Sequence, residues 1–205
     1  MHPEILSKEQ KELLVLIKKF SDDYFLVGGT AIALQIGHRM SIDYDLFTHG
    51  RIKRKRIKNI LDEFSFPMGK IIYEAEEQLH IPVNEVKITF FSYPYALNHP
   101  IKFKNVISMP ALLDLAAMKA HALGGRAKWR DYVDLFFILK YHHSFHEIAN
   151  RANELFKEFF NVKLFREQLT FFQDVERDQT IQFMTTAVPD EEIQNFLIDV
   201  ATQPF

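Results

Sequence analysis

The residues best suited to chemistry are Gly28-Gly29-Thr30, which follow the apolar run Tyr24-Phe25-Leu26-Val27, and the pair Asp43 and Asp45 inside Arg39-Met40-Ser41-Ile42-Asp43-Tyr44-Asp45-Leu46-Phe47. Two glycines at a strand-to-helix junction let the main chain approach phosphates closely, and the unpaired N–H groups of a helix N-terminus add donors. Asp43 and Asp45 are two residues apart, so on a strand they share a face with Cα atoms roughly 6.6 Å apart. That spacing suits two carboxylates sharing Mg2+ (or Mn2+) ions bridged to a nucleotide's phosphates. The plainer reading makes Gly-Gly a turn and the two acids solvated edge residues.

Further along, Lys119 falls on an apolar helical stripe with Leu112, Leu115 and Leu123. A lysine there either lays its stem along the stripe with its ammonium in water or needs a partner. On the next helix Asp131, Asp134, Leu135 and Ile138 share a face, while Trp129, Val133, Phe136 and Phe137 cover another. Two acids on so apolar a helix call for cations, and Lys119 and Arg126 are the candidates. Taken alone, this is an ion-pair cluster locking two helices. Six cations lie between Arg51 and Lys58 (Arg51, Lys53, Arg54, Lys55, Arg56, Lys58), either as a solvated helix face or as a contact for an RNA backbone. His142, His143 and His146 have helical spacing, but they straddle a helix end near Lys140 and a Ser144 cap, a poor setting for a metal site.

The elements that must position these residues follow from the pattern. Ser7 and Gln10 form a capping box, and Leu13, Leu14, Leu16, Ile17 and Phe20 predict a helix over Lys8–Phe20. Tyr24–Val27 is a strand, Ala31–Ile36 a helix stopped by Gly37, Ile42–Phe47 an alternating strand, and Arg51–Phe64 a basic amphipathic helix. Strands are expected near Lys70–Tyr73, Gln78–Ile81 and Glu85–Ser92, then a Pro-rich connection through Pro94, Pro100 and Pro110. From Ala111 the pattern is helical nearly to the end, with helices ending near Gly124, Lys140 and Phe159 and a last one, Glu191–Thr202, capped by Asp190. The layout is α/β (α+β): a mixed half, residues 1–108, and a helical half, residues 109–205, packed on it. Seven Gly and eight Pro in 205 residues fall well below the usual ~12% and fit a helix-rich body. The absence of cysteine removes disulfides, thiolate zinc sites and cysteine nucleophiles. A net charge of -2 argues against a broadly basic nucleic-acid coat. The N-terminus lacks a secretory pattern and no apolar run could span a membrane, so a cytoplasmic location is expected.

The segment LVGGTAIALQIGHRMSIDYDLF, with its GGT and hydrophobic-flanked Asp-x-Asp, resembles the signature of the DNA polymerase β-like nucleotidyltransferase superfamily. Together with AMKAHALGGRAKWRDYVDLFFIL and the tail LTFFQDVERD, it is similar to the AbiEii/AbiGii-type nucleotidyltransferases, toxins of bacterial toxin–antitoxin and abortive-infection systems. The resemblance covers most of residues 24–178. It implies a nucleotidyltransferase-like mixed sheet flanked by helices, a helical C-terminal part, Mg2+ dependence, and transfer of a nucleotide from an NTP to an acceptor hydroxyl. RNA, tRNA included, and a cognate antitoxin protein are the implied partners. By the same resemblance Gly28, Gly29 and Thr30 would hold the β- and γ-phosphates and Asp43 and Asp45 the metal. Arg39, Lys119 and Arg126 would bind nucleotide, with Asp131 and Asp134 orienting the base side or the acceptor. These enzymes usually carry a third carboxylate on a later strand; its place here is Thr89, in Val86-Lys87-Ile88-Thr89-Phe90-Phe91. Glu85, Lys87 and Thr89 are expected to share a strand face that points Thr89 at the site, but Glu85 lies four residues back, roughly 13 Å along the strand, a poor substitute without a bulge. A threonine is no general base at neutral pH, so a nucleotide- or partner-binding protein of the same fold is the rival to an enzyme.

Overall fold

The computed structural model describes residues 1–177 and 180–203. Contacts within the chain divide it into Met1–Ala111 and Leu112 onward.

In the first unit the Ser7 capping box forms as expected, with Gln10 N–H donating to Ser7 Oγ and Ser7 N–H to Gln10 Oε1. It opens helix α1 (Lys8–Glu12). The expected single helix is interrupted at Leu13 by a tightened turn, ψ -7°, and resumes as α2 (Leu14–Lys18). β1 (Phe25–Val27) runs directly into α3 (Gly28–Ile36), so both glycines belong to the first turn of the helix rather than to a loop ahead of it. Gly37, at φ +68°, ends α3. β2 is Tyr44–Thr48, which corrects the expected start at Ile42 and leaves Asp43 just ahead of the strand. The basic helix α4 is shorter than expected, Arg54–Asp62.

β3 (Tyr73–Ala75) lies C-terminal to its expected place because the Glu76-Glu77 turn fixes its pairing with β4 (Gln78–Val83). β4 and β5 (Val86–Ser92) are joined by Asn84 and Glu85, both at positive φ. Glu85 is therefore a hairpin-turn residue and not on the face of Lys87 and Thr89. The order β1-β2-β5-β4-β3 makes a five-stranded mixed sheet whose only parallel pair is β2–β5. The Pro-rich connection also holds a hairpin, β6 (Ile101–Phe103) and β7 (Ile107–Met109). Its three-residue strands are too short to show alternation.

The second unit contains α5 (Leu112–Leu123), α6 (Trp129–Tyr141), α7 (Phe145–Phe156), α8 (Val162–Thr170) and α9 (Asp190–Thr202). Ser144 and Glu147 form the capping box of α7. Pro189, not Asp190, precedes the last helix; Asp190, Glu191 and Glu192 fill its first turn, where negative charge is favoured. The described residues between α8 and α9 form no helix. Glu176 instead pairs its main chain with Lys128 and Trp129, and Arg177 stacks over the Trp129 ring at 4.0 Å. Asp178, the end of the LTFFQDVERD segment, lies outside the described residues.

Candidate active site

Strand alternation sorts the sheet into two unlike faces. Tyr44, Leu46, Ile88, Phe90, Leu79 and Ile81 are buried on one. There the Tyr44 hydroxyl donates to the Gln10 carbonyl at 3.0 Å, and the Phe20 and Tyr24 rings pack on Phe90. The other face carries the polar residues in register. Val27 lies opposite Asp45, Asp45 opposite Thr89, Thr89 opposite His80 and His80 opposite Tyr73, so one row crosses all five strands.

Asp45 meets the glycines at close quarters. Gly28 has φ +72°, and a Cβ on it would lie 2.2 Å from Asp45 Oδ2. A Cβ on Gly29 would lie 2.7 Å from Arg39 Nη2 and 3.0 Å from Ser41 Oγ. Only main chain fits between the carboxylate and the guanidinium. Thr30, 1% exposed, donates its hydroxyl to the Asp43 carbonyl and lies 3.0 Å from Ser41 Oγ. This clasp ties the start of α3 to Asp43 and explains why the strand begins only at Tyr44.

Two neighbours of the acids come from strand register. Lys87 Nζ stands 2.8 Å from Asp43 Oδ2, with Asp43 the more buried of the two. His80 is pushed below the ordinary histidine value by burial and then by Lys87, against the opposing pull of Asp45 and Asp43. Lys87 was visible as a face-mate of Thr89; nothing in the sequence placed His80 or Tyr73 in the row. Among the described residues no group of three or more His, Asp or Glu side chains is placed to hold a metal. Asp43 and Asp45 nevertheless match the donor set Mg2+ takes when substrate phosphates and water complete its shell.

In the helical unit Lys119, Asp131, Asp134 and Arg126 come together. Lys119 Nζ pairs with Asp131 Oδ1 and lies 2.9 Å from Asp134 Oδ2; both acids are fully buried. Arg126 Nε is 3.3 Å from Asp131 Oδ2 but off the hydrogen-bond direction, so that buried oxygen lacks a donor. Burial raises the Asp131 pKa, yet Lys119 and Arg126 outweigh it and hold the group below the usual aspartate value.

The basic segment is half neutralised. Lys53 and Arg56 pair with Asp23 at 3.3 and 3.0 Å, and Arg54 pairs with Glu74 at 2.8 Å. Arg51, Lys55 and Lys58 are exposed without an ion pair among the described residues. His143 lies 3.7 Å from Glu147 at the α6–α7 junction.

The profile of a family described as "Nucleotidyl transferase AbiEii toxin, Type IV TA system" matches residues 14–102 and 85–204. An uncharacterised protein of Aquifex aeolicus (strain VF5) is 33% identical over 143 residues, 67% of this chain and 68% of that one. Among solved structures, MenT4, a nucleotidyltransferase toxin of Mycobacterium tuberculosis H37Rv, superposes with a TM-score of 0.60 at 13% identity. That match covers 94% of this chain and 81% of the other. JHP933 of Helicobacter pylori gives 0.53 at 18% identity, with coverage of 96% and 91%. The mixed sheet flanked by helices is thus the fold of nucleotidyltransferase toxins, and the chain belongs to the AbiEii nucleotidyltransferase toxin family.

Proposed function

We propose that the half-exposed sheet face binds a nucleoside triphosphate with Mg2+ (or Mn2+) and transfers its nucleotide to an acceptor hydroxyl on RNA. The protein would work as a cytoplasmic toxin opposed by a cognate antitoxin. The observation that carries this reading is the contact of Gly28 with Asp45: main chain with no side chain of its own stands against a carboxylate at the start of a helix. That arrangement suits a phosphate chain shared between N–H donors and a carboxylate-held ion. Asp43 and Asp45 would hold the ion. The ion would neutralise phosphate charge and lower the pKa of the acceptor hydroxyl.

In the transfer, the acceptor oxygen bonds to the α-phosphorus while the bridging bond to the β-phosphate breaks. Pyrophosphate leaves with that electron pair, and the hydroxyl proton passes to solvent or a phosphate oxygen. Gly28 and Gly29 provide the backbone approach, and Thr30 acts by fixing Asp43. Arg39, beside Gly29, and Lys87, beside Asp43, supply positive charge. The proposal also assigns Lys119 and Arg126 to nucleotide binding, with Asp131 and Asp134 orienting the base side or acceptor. Arg126, half exposed, offers the cleaner test, because Arg126→Ala should weaken NTP binding with little loss of stability.

A second reading is a nucleotide- or partner-binding protein without transfer, favoured by Thr89 standing beside Asp45 where a third carboxylate would complete the site. Incubation with each labelled NTP and total RNA, with and without Mg2+, separates the two. Label in RNA supports transfer, whereas Mg2+–NTP binding without label supports the second reading. In Asp43→Asn/Asp45→Asn, Mg2+-dependent NTP affinity should fall at least tenfold, about 1.4 kcal/mol. Unchanged titrations would refute the metal assignment.

A further inference from the structure

The row next to Asp45–Thr89–His80 on the same sheet face is aromatic. Phe25 lies opposite Phe47, and Phe47 opposite Phe91, each two residues along its strand from the polar row. Phe47 and Phe91 are half-buried, with centroids 4.9 Å apart. Tyr93, largely buried with an edge in the cavity wall, packs 5.1 Å from Phe47, and half-buried Tyr95 follows 5.4 Å from Tyr93. Phe91 and Tyr93 border a cavity of about 650 Å3 lined also by His49, Glu77, Asn98 and His99. This cavity therefore joins aromatic surface to hydrogen-bonding groups that could read the edge of a planar heterocycle. Exposed Arg51 follows Gly50, whose carbonyl accepts a hydrogen bond from Ser92 in the cavity wall.

Direction decides what could lie there. β1 is antiparallel to β2, so the Gly28–Thr30 turn sits at the Asp43 end of β2, and Phe47 lies beyond Asp45 at the other end. In-line transfer puts the attacking group on the side of phosphorus away from the departing pyrophosphate. With the triphosphate tail at the glycines, the acceptor approaches from the aromatic row, about 6.6 Å along the strand from Asp45. We propose that Phe47 and Phe91, backed by buried Tyr93, form a stacking platform for an unpaired nucleobase of a single-stranded RNA acceptor, with Arg51 serving its phosphate backbone. This rests on the transfer reading above and narrows its acceptor to an RNA with an unpaired end. Stacked aromatics with an adjoining cation are the usual means of holding single strands.

The test is binding of a short single-stranded oligoribonucleotide to the full chain, alongside a separate Mg2+–ATP titration. Phe47→Ala/Phe91→Ala should weaken oligonucleotide binding at least tenfold and leave Mg2+–ATP affinity within twofold, and a blunt duplex should bind the native protein more weakly than the single strand. Phe91→Trp guards against a misfolded double variant: it keeps an aromatic surface, should retain binding, and its added indole should be quenched by the oligonucleotide but not by ATP. The inference is overturned if the native protein does not bind the single strand, if the double variant binds as well as native, or if the loss falls on ATP instead. Normal Mg2+–ATP binding with labelling of a non-RNA acceptor would overturn this inference while leaving nucleotide transfer standing. Absent Mg2+-dependent binding of every one of the four NTPs would overturn the transfer reading itself.

Discussion

Thr89→Asp places a carboxylate beside Asp45 at a position where register alone dictates the outcome. The two residues are direct neighbours on parallel strands, and Thr89 is 8% exposed. Neighbouring strands lie about 4.8 Å apart, so without metal the new charge faces Asp45 at roughly 5 Å. Coulomb's law gives about 3 kcal/mol of repulsion at an effective dielectric constant near 20 and about 0.8 kcal/mol in bulk water. A half-buried site falls between, so the variant should lose about 1–3 kcal/mol. For a chain of 205 residues Tm should then drop by roughly 2–4 °C per kcal/mol. Divalent metal reverses the sign, because three carboxylates bind it better than two. An ion present at about 100 times its Kd returns about 2.7 kcal/mol, enough to offset the repulsion. Thermal melts with and without Mg2+ should show a low Tm that metal restores, and nucleotide transfer should rise by ~10²- to 10⁴-fold if the added group serves as the base. Thr89→Asn, of like shape without charge, should show neither effect. A Thr89→Asp protein that melts equally early with and without Mg2+, and transfers nothing more than native, would refute the placement of metal at Asp43 and Asp45.

Gly28→Ala should destabilise the first unit by about 1–2 kcal/mol from its left-handed backbone alone. The clash at Asp45 should also lower Mg2+–NTP affinity more than tenfold; native-like titrations would show that the contact is not needed. Lys87→Met should tighten Mg2+ binding in the absence of nucleotide about fivefold, by releasing an ion pair worth ~1 kcal/mol, and calorimetry with Mg2+ alone reads it. Lys119→Met should cost about 3–5 kcal/mol by stranding two buried acids, and adding Asp131→Asn and Asp134→Asn should recover much of that loss. Asp131 titrates below its ordinary 3.8 in the fold, so its stabilising contribution is complete above that value and fades as pH falls through the lowered one. Acid unfolding followed by circular dichroism should therefore begin at higher pH in Lys119→Met than in native protein.

The glycines and the Asp-x-Asp pair were legible because their chemistry is local: two residues without side chains, then two acids at strand spacing. The structure keeps them together but moves Asp43 off the strand, since the Thr30 clasp takes its carbonyl, a contact across thirteen positions. Thr89 could be placed on a face by counting twos from Lys87, but not opposite Asp45. The parallel pairing of β2 with β5 leaves no mark in either segment. His80 and Tyr73 enter the row only through two further strand registers, the second set by a Glu76-Glu77 turn that contains none of the usual turn residues. The six cations were plain in the sequence; the acids that neutralise three of them, Asp23 and Glu74, lie on other elements. Lys119 and its aspartates were recognisable from polarity on apolar faces, which shows that partners are required without showing that they are one another.

The Lys87–Asp43 pair has a consequence for the order of events. An ammonium at 2.8 Å from the carboxylate already does, in electrical terms, part of what a divalent ion would do, so the two acids are no magnet for stray cations. A bare ion must compete with a charge tethered to the neighbouring strand. One arriving with a triphosphate brings anionic oxygens to which the ammonium can turn. On the proposed reading of Asp43 and Asp45, the pair would set up a thermodynamic preference for metal and nucleotide together over metal alone, and would make the lysine a selector of complexes rather than of ions.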